Sequence, residues 1–247
     1  MKHKKKTGST SEQRKMFQEA LVLHRSGQLD LAETKYKKLL NFLPNNIDLL
    51  TNLGTIALQK GKLEEGVKII SRSLLINPNQ STAHNNCGNA LKELKRFDEA
   101  LASYDRAIEL KLNDAEVYSN RGLTLQELKK TDEALASYDR AISLKPDYAD
   151  AYFNRGITLH KLNRLDKALA SFNRAIELKS NYAEAYFNRA NVLRDLKELN
   201  KALESYDRAI SLKPDYADAY FNRGITLHKL NRLDKALASF NRAIELK

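Results

Sequence analysis

Residues 149–182 read ADAYFNRGITLHKLNRLDKALASFNRAIELKSNY, and this stretch decides the fold. Ala151, Tyr152, Gly156, Leu159 and Leu162 recur at the three- and four-residue spacing of one helical face. Leu165, Ala168, Leu169, Phe172, Ala175 and Ile176 do the same in a second helix. A unit of two short amphipathic helices cannot bury its own apolar stripes, so it must stack on neighbours. The neighbours are present. The 43 residues Ser137–Lys179 recur letter for letter as Ser205–Lys247, at an offset of 68, twice a 34-residue period that runs through almost the whole chain.

Aligning the recurrent Gly or Ala of the first helix divides the chain into units 13–46, 47–80, 81–114, 115–148, 149–182, 183–216 and 217–247, preceded by a basic tail, 1–12, expected to be disordered. The fold class is all-α, a right-handed superhelical solenoid of about seven two-helix repeats. Gly156 and Ala168 let the two helices of a hairpin approach closely, while Tyr152 and Phe172 fill the space on either side. A short polar turn, Asn163-Arg164, joins them, and Asp166 is placed to cap the second helix. Pro44, Pro78, Pro146 and Pro214 end the second helix of their units; where Leu112 and Ser180 replace the proline, that helix is expected to fray or extend slightly.

An aromatic at the fourth place of the unit, Gly or Ala at the eighth, Ala at the twentieth, an aromatic at the twenty-fourth, Ala at the twenty-seventh and Pro at the thirty-second closely resemble the tetratricopeptide repeat. The resemblance covers residues 13–247. It is weakest in the first two units, where Met16 and Leu50 replace the first aromatic, Gly66 the second Ala, Ile70 the second aromatic, and Leu39 and Ser73 the third Ala. The RNA-binding pentatricopeptide array has a 35-residue period, which the unbroken 34 here disfavours.

Composition narrows the partners. With the single cysteine Cys87 there is no disulfide framework and no Cys/His zinc spacing, so a reducing, cytoplasmic setting is expected, with no metal and no cofactor. No run approaches a membrane helix. The net charge of +11 is spread unevenly over tail and repeats and draws no continuous basic stripe, so nucleic acid is not the expected partner; Lys2, Lys4, Lys5 and Lys6 would be its vehicle. The expected partner is a protein or peptide, with no small-molecule substrate.

Position 6 of successive units reads Gln18, Asn52, Asn86, Asn120, Asn154, Asn188 and Asn222, on the helix face opposite the packed one. In tetratricopeptide arrays that face lines the concave groove. A row of amides offers donors and acceptors to the backbone of an extended peptide whatever its side chains. The ladder is similar to that in the repeat arm of O-linked N-acetylglucosamine transferases, where the asparagines hold substrate backbone. Position 5 adds Phe153, Phe187 and Phe221, three rings expected to face the groove, with Phe187→Ala expected to lower peptide binding at little cost in helicity. Because the two 43-residue blocks are identical, Phe153 with Asn154 and Phe221 with Asn222 are expected to form near-equivalent sites that bind long segments with avidity. The lysine-rich clamp of chaperone-binding relatives is missing, since position 5 carries no Lys and position 2 is mostly acidic. Arg121, Arg155, Arg189 and Arg223, at position 7, are expected to cover apolar surface with their stems while the guanidinium reaches water or pairs with an acid of the adjacent repeat, the alternative being recognition of an acidic partner.

No catalytic constellation appears. His24, His160 and His228 share position 12 one or more repeats apart, without the spacing of a metal helix, and Cys87 beside the packed His84 is expected to be inert. The chain reads as a non-enzyme, a scaffold. The alternative is the substrate-recognition arm of a longer transferase, because the opening residues resemble the start of bacterial proteins in which such an array precedes a glycosyltransferase or sulfotransferase domain. Leu237, Phe240 and Ile244, in the last helix, have no following unit in the sequence to cover them, and self-association there is a further expectation.

Overall fold

The computed structural model describes residues 10–246, and among them are fourteen α-helices and no strand. They are α1 (Ser11–Arg25), α2 (Leu29–Phe42), α3 (Ile47–Gln59), α4 (Leu63–Ile76), α5 (Ser81–Glu93), α6 (Phe97–Leu110), α7 (Ala115–Glu127), α8 (Thr131–Leu144), α9 (Ala149–Lys161), α10 (Leu165–Leu178), α11 (Ala183–Asp195), α12 (Leu199–Leu212), α13 (Ala217–Lys229) and α14 (Leu233–Glu245). Odd-numbered helices are the first, or A, helices of the repeats and even-numbered ones the second, or B, helices. The chain forms two compact units, Met1–Asn113 with α1–α6 and Asp114–Lys247 with α7–α14. Within each unit an A helix packs most extensively on the B helix of its own repeat and next on the B helix before it, so hairpins stack in chain order. This is the architecture of an α-solenoid.

The period-34 pattern translates directly into the core. Ala20, Ala32, Tyr36, Leu39, Leu49 and Ile56 join two hairpins in the first unit, and Leu135, Leu159, Ala168, Phe172 and Val192 join three in the second. A fully buried Leu or Phe stabilises by ~1.5–3 kcal/mol, and here each such side chain belongs to the contact between hairpins as much as to its own. Gly156 shows why a small residue is needed at position 8: a Cβ there would stand 2.7 Å from Cε1 of Phe172.

Local details depart from the sequence reading in three places. Asp166 is not the cap of α10; that helix starts at Leu165 with Arg164 at the N-cap and no side-chain cap, which leaves Asp166 in the first turn, where its charge complements the helix dipole. Helices α6 and α10, which lack the following proline, neither extend nor fray. They end at Leu110 and Leu178, two residues before Leu112 and Ser180, as their counterparts end two residues before proline. After α10 the turn is closed by hydrogen bonds, Lys179 N–H to Ala175 O at 2.9 Å and Tyr182 N–H to Lys179 O at 3.2 Å, so it holds without a fixed φ. Finally, α1 begins at Ser11, ahead of residue 13, because Thr10 and Gln13 form a reciprocal capping box. The lysines Lys2 to Lys6 lie outside the described residues.

One feature of the A–B turn is not visible in the hydrophobic pattern. Its residue at position 15 is left-handed in all seven repeats: Gly27 (φ 77°), Gly61 (73°), Lys95 (60°), Lys129 (60°), Asn163 (56°), Lys197 (66°) and Asn231 (56°). Glycine and asparagine adopt this region readily, whereas lysine does so under strain.

Candidate functional site

Successive A helices within a unit touch one another directly: α3 meets α5, α9 meets α7 and α11, and α11 meets α13. Asn86 and Asn222 lie at these contacts, each bonded to a residue of the preceding A helix. Asn52 and Asn86 stand in the first unit, Asn120, Asn154, Asn188 and Asn222 in the second, all half-buried, while Gln18 is exposed.

The amides are anchored in different ways. Asn52 and Asn188 donate to the carbonyl one turn back in their own helix, Asp48 O and Glu184 O, each at 2.8 Å. Asn86 reaches Thr55 Oγ1 at 3.4 Å, and Asn222 reaches Asn191 Oδ1 at 3.0 Å, both on the preceding A helix. Asn120 and Asn154 take no side-chain partner among the described residues; their backbone carbonyls instead accept from Thr124 and Thr158 at 3.0 and 2.9 Å. In none of the six does the side-chain oxygen accept a hydrogen bond from another described residue, so every rung keeps acceptor capacity and at least part of its donor capacity.

The three phenylalanines do not form a uniform floor. Phe153 lies against Phe172 and Tyr182, with ring centroids 6.0 and 4.7 Å away, and Phe187 lies in the same way against Tyr206 and Tyr216, at 6.1 and 4.9 Å. Both are half-buried, packed parts of the stack. Phe187→Ala therefore removes structural packing together with any ligand contact, so its effect on binding is to be read against its effect on stability. Phe221 contacts Phe240 at 5.7 Å and is 47% exposed, so the two identical blocks do not present equivalent rings.

Two of the position-7 arginines pair with an acid, whereas Arg189 reaches the Asn173 amide oxygen at 3.4 Å. Arg155 donates to Asp139 at 2.6 Å and Arg223 to Asp207 at 2.5 Å, both acids lying on the preceding B helix. A second contact was not foreseen: Arg121, Arg155, Arg189 and Arg223 each donate to the buried serine at position 23 of their own repeat, Ser137, Ser171, Ser205 and Ser239, at 2.7–3.1 Å. Burial pushes the Arg189 pKa below its ordinary value. Arg155, Arg189 and Arg223 thereby tie the B helix of their own repeat to the preceding one within the second unit. In the third repeat Cys87 occupies the arginine's place; it is buried, and desolvation raises its thiol pKa, the direction that quenches nucleophilicity. His160 is held by Asp195 at 2.8 Å, and His84 by the carbonyl of Pro78 at 3.0 Å. Among the described residues there is no group of three or more His, Cys, Asp or Glu that could hold a metal, and no helix long and apolar enough to cross a membrane.

Stacked two-helix hairpins of constant length, with a small residue facing an aromatic in all but the second, where Gly54 faces Ile70, define an α-solenoid built for protein–protein contact. The particular family follows from the residues that match it. The chain belongs to the tetratricopeptide repeat family, whose sequence patterns match residues 88–129, 126–163 and 190–231 as TPR repeats and residues 47–80, 149–182 and 217–247 as tetratricopeptide repeats. Its repeats are those of a protein–protein interaction scaffold. Among solved structures, a crystal structure of MamA is 27% identical with a TM-score of 0.62, covering 64% of this chain and 93% of that one. A tetratricopeptide repeat protein from Parabacteroides merdae ATCC 43184 is 21% identical with a TM-score of 0.73, over 96% of this chain and 94% of that one. YrrB, described as a TPR protein with an unusual peptide-binding site, is 23% identical with a TM-score of 0.65, over 74% of this chain and 95% of that one. No curated protein matches the chain.

Proposed function

We propose that the chain is a non-catalytic scaffold that holds extended peptide segments on the shared face of its A helices, gripping the peptide backbone with the ladder amides Asn52, Asn86, Asn120, Asn154, Asn188 and Asn222. The observation that carries this reading is that all six side-chain oxygens are left without a donor among the described residues, two of them in the first unit and four in the second, on A helices that touch their neighbours within each unit. A peptide backbone N–H is the natural complement of such an oxygen, and the free amide hydrogens complement its carbonyls. Phe153, Phe187 and Phe221 then act as apolar shoulders beside the rungs, with Phe221 the most accessible. The likeness to YrrB is consistent with peptide binding by a stack of this kind.

The test uses a fluorescein-labelled pool of random 12-residue peptides and the double variant Asn154→Ala/Asn188→Ala. Two lost hydrogen bonds of ~0.5–1.5 kcal/mol each correspond to an affinity loss on the order of ten-fold. The melting temperature should stay close to that of the parent, because one amide has no partner and the other bonds only its own helix. N-methylation of alternate peptide amides should weaken binding as the variant does. Equal affinity of parent and variant, or indifference to N-methylation, would show that the ladder does not grip backbone.

A further inference from the structure

Positions 5 and 34 of a repeat meet in the second, fifth and sixth repeats, and in the first they do not. In the second repeat Thr51 donates to Gln80 at 3.0 Å. In the fifth and sixth, Phe153 and Phe187 stack on Tyr182 and Tyr216 at 4.7 and 4.9 Å. Those two tyrosines occupy a defined slot: the phenylalanine forms its floor, Lys179 or Lys213 lies over the ring at 4.2 or 4.9 Å, and the charge of the acid at position 2, Asp150 or Glu184, helps to raise the phenol pKa. Desolvation in the slot pushes the Tyr216 pKa up to about 12.

The first repeat has the floor and lacks the ring. Phe17 stands at position 5, but position 34 is Asn46, and its side chain is committed elsewhere: Oδ1 accepts the Leu49 N–H at 2.9 Å and caps α3. What remains is a cleft of about 260 Å³ over Phe17, walled by Leu39, Leu43 and Leu49. That is below the ~300–1,000 Å³ of a drug-sized pocket and suits one side chain. Its rim is altered as well. Arg14 stands where Asp150 and Glu184 stand in the filled slots, and its guanidinium has no hydrogen-bond or ion partner among the described residues, so the rim gains a donor beside the carboxylate of Asp48, which also lines the cleft.

We infer that this cleft is a docking slot for a tyrosine side chain of a partner peptide, the ring stacking on Phe17 and the phenol oxygen or a flanking carboxylate accepting from Arg14. The molecule itself shows twice what such a slot holds, in Tyr182 and Tyr216. The inference deepens the peptide-binding reading by naming an anchor, and it rests on that reading for the partner being a peptide.

The probe is N-acetyl-Glu-Tyr-amide, titrated against the full chain and followed by NMR. Saturable shifts should centre on Arg14, Phe17 and Leu43, and N-acetyl-Glu-Leu-amide should bind at least about ten-fold more weakly, since an aliphatic group forgoes the ring stacking. Asn46→Tyr supplies the ring from within and should abolish the shifts; Asn46→Asp, which keeps the cap, should leave them intact. Shifts centred elsewhere, equal binding of the leucine probe, or undiminished binding by a folded Asn46→Tyr chain would overturn the inference. Asn154→Ala/Asn188→Ala lies in the other unit and should not affect this probe. If the dipeptide fails while the 12-residue pool still depends on the ladder, only the slot falls; the reverse result removes only the ladder.

Discussion

Removing the hydroxyl of Tyr36 should stabilise the protein, while the same change at Tyr206 should destabilise it. Both side chains are fully buried at position 24 of their repeats. The Tyr206 hydroxyl donates to Asn191 Oδ1 at 2.6 Å, as that of Tyr104 donates to Asn89 at 2.7 Å in the third repeat. The first repeat has Leu21 at the place of those asparagines, and the Tyr36 hydroxyl has no hydrogen-bond partner among the described residues. A buried hydroxyl without a partner costs ~1–3 kcal/mol of desolvation, whereas a made bond is worth ~0.5–1.5 kcal/mol net. Loss of one oxygen also leaves a small void, a partial offset of under ~1 kcal/mol on the usual scale for cavities. The balance predicts a gain of about 1 kcal/mol for Tyr36→Phe and a loss of about 1 kcal/mol for Tyr206→Phe. Urea unfolding followed by circular dichroism reads both, with the slope unchanged from the parent. Phe17 lies 6.0 Å from the Tyr36 ring, and that ring is kept, so binding at the Phe17 cleft should not change. If Tyr36→Phe loses as much stability as Tyr206→Phe, the hydroxyl has a partner such as an ordered water, and the reasoning fails.

Two further perturbations test the turns and the charge network. Lys129→Gly should raise stability by roughly 0.5–1 kcal/mol, because the left-handed backbone at φ 60° costs a side-chain-bearing residue ~1–2 kcal/mol and glycine gives back only part of that as unfolded-chain entropy; a lower urea midpoint would refute it. Glu33, bonded by Lys37 and Lys60 and linking the first two repeats, is held down to a pKa of about 2, so its contribution is fully present above the ordinary carboxylate value of 4.5 and is lost as pH falls from there through 2. After allowance for solvent screening this is worth about 1 kcal/mol, and Glu33→Gln should flatten the stability profile of the first unit over that pH window while leaving its stability below pH 2 unchanged.

How much the sequence determined by itself is clearest in the period. The 34-residue spacing of small and aromatic residues is a local, covalent fact, and because two short amphipathic helices have only one way to bury their stripes, it specified the helices, their pairing and the family. The Asn ladder was legible for the same reason, since a constant period keeps position 6 on one face. Two of the position-7 arginines were legible as far as their pairing with acids, and the serine contact escaped because a buried serine carries no signal of its own. The left-handed position 15 escaped where lysine stands there, because its residue type does not announce φ.

What only the tertiary structure decided is the environment of each copy. Ser137–Lys179 and Ser205–Lys247 share every letter, yet Ile176, lying beneath α11, is 8% exposed and Ile244 is 72% exposed. Phe153 is stacked under Tyr182 while its twin Phe221 is 47% exposed, and Phe17, at the same position, faces an open cleft because Asn46 turned away to cap α3. The physical reason is that a repeat fixes its own helices, whereas burial belongs to the contact between one repeat and the next, which no single copy of the sequence contains.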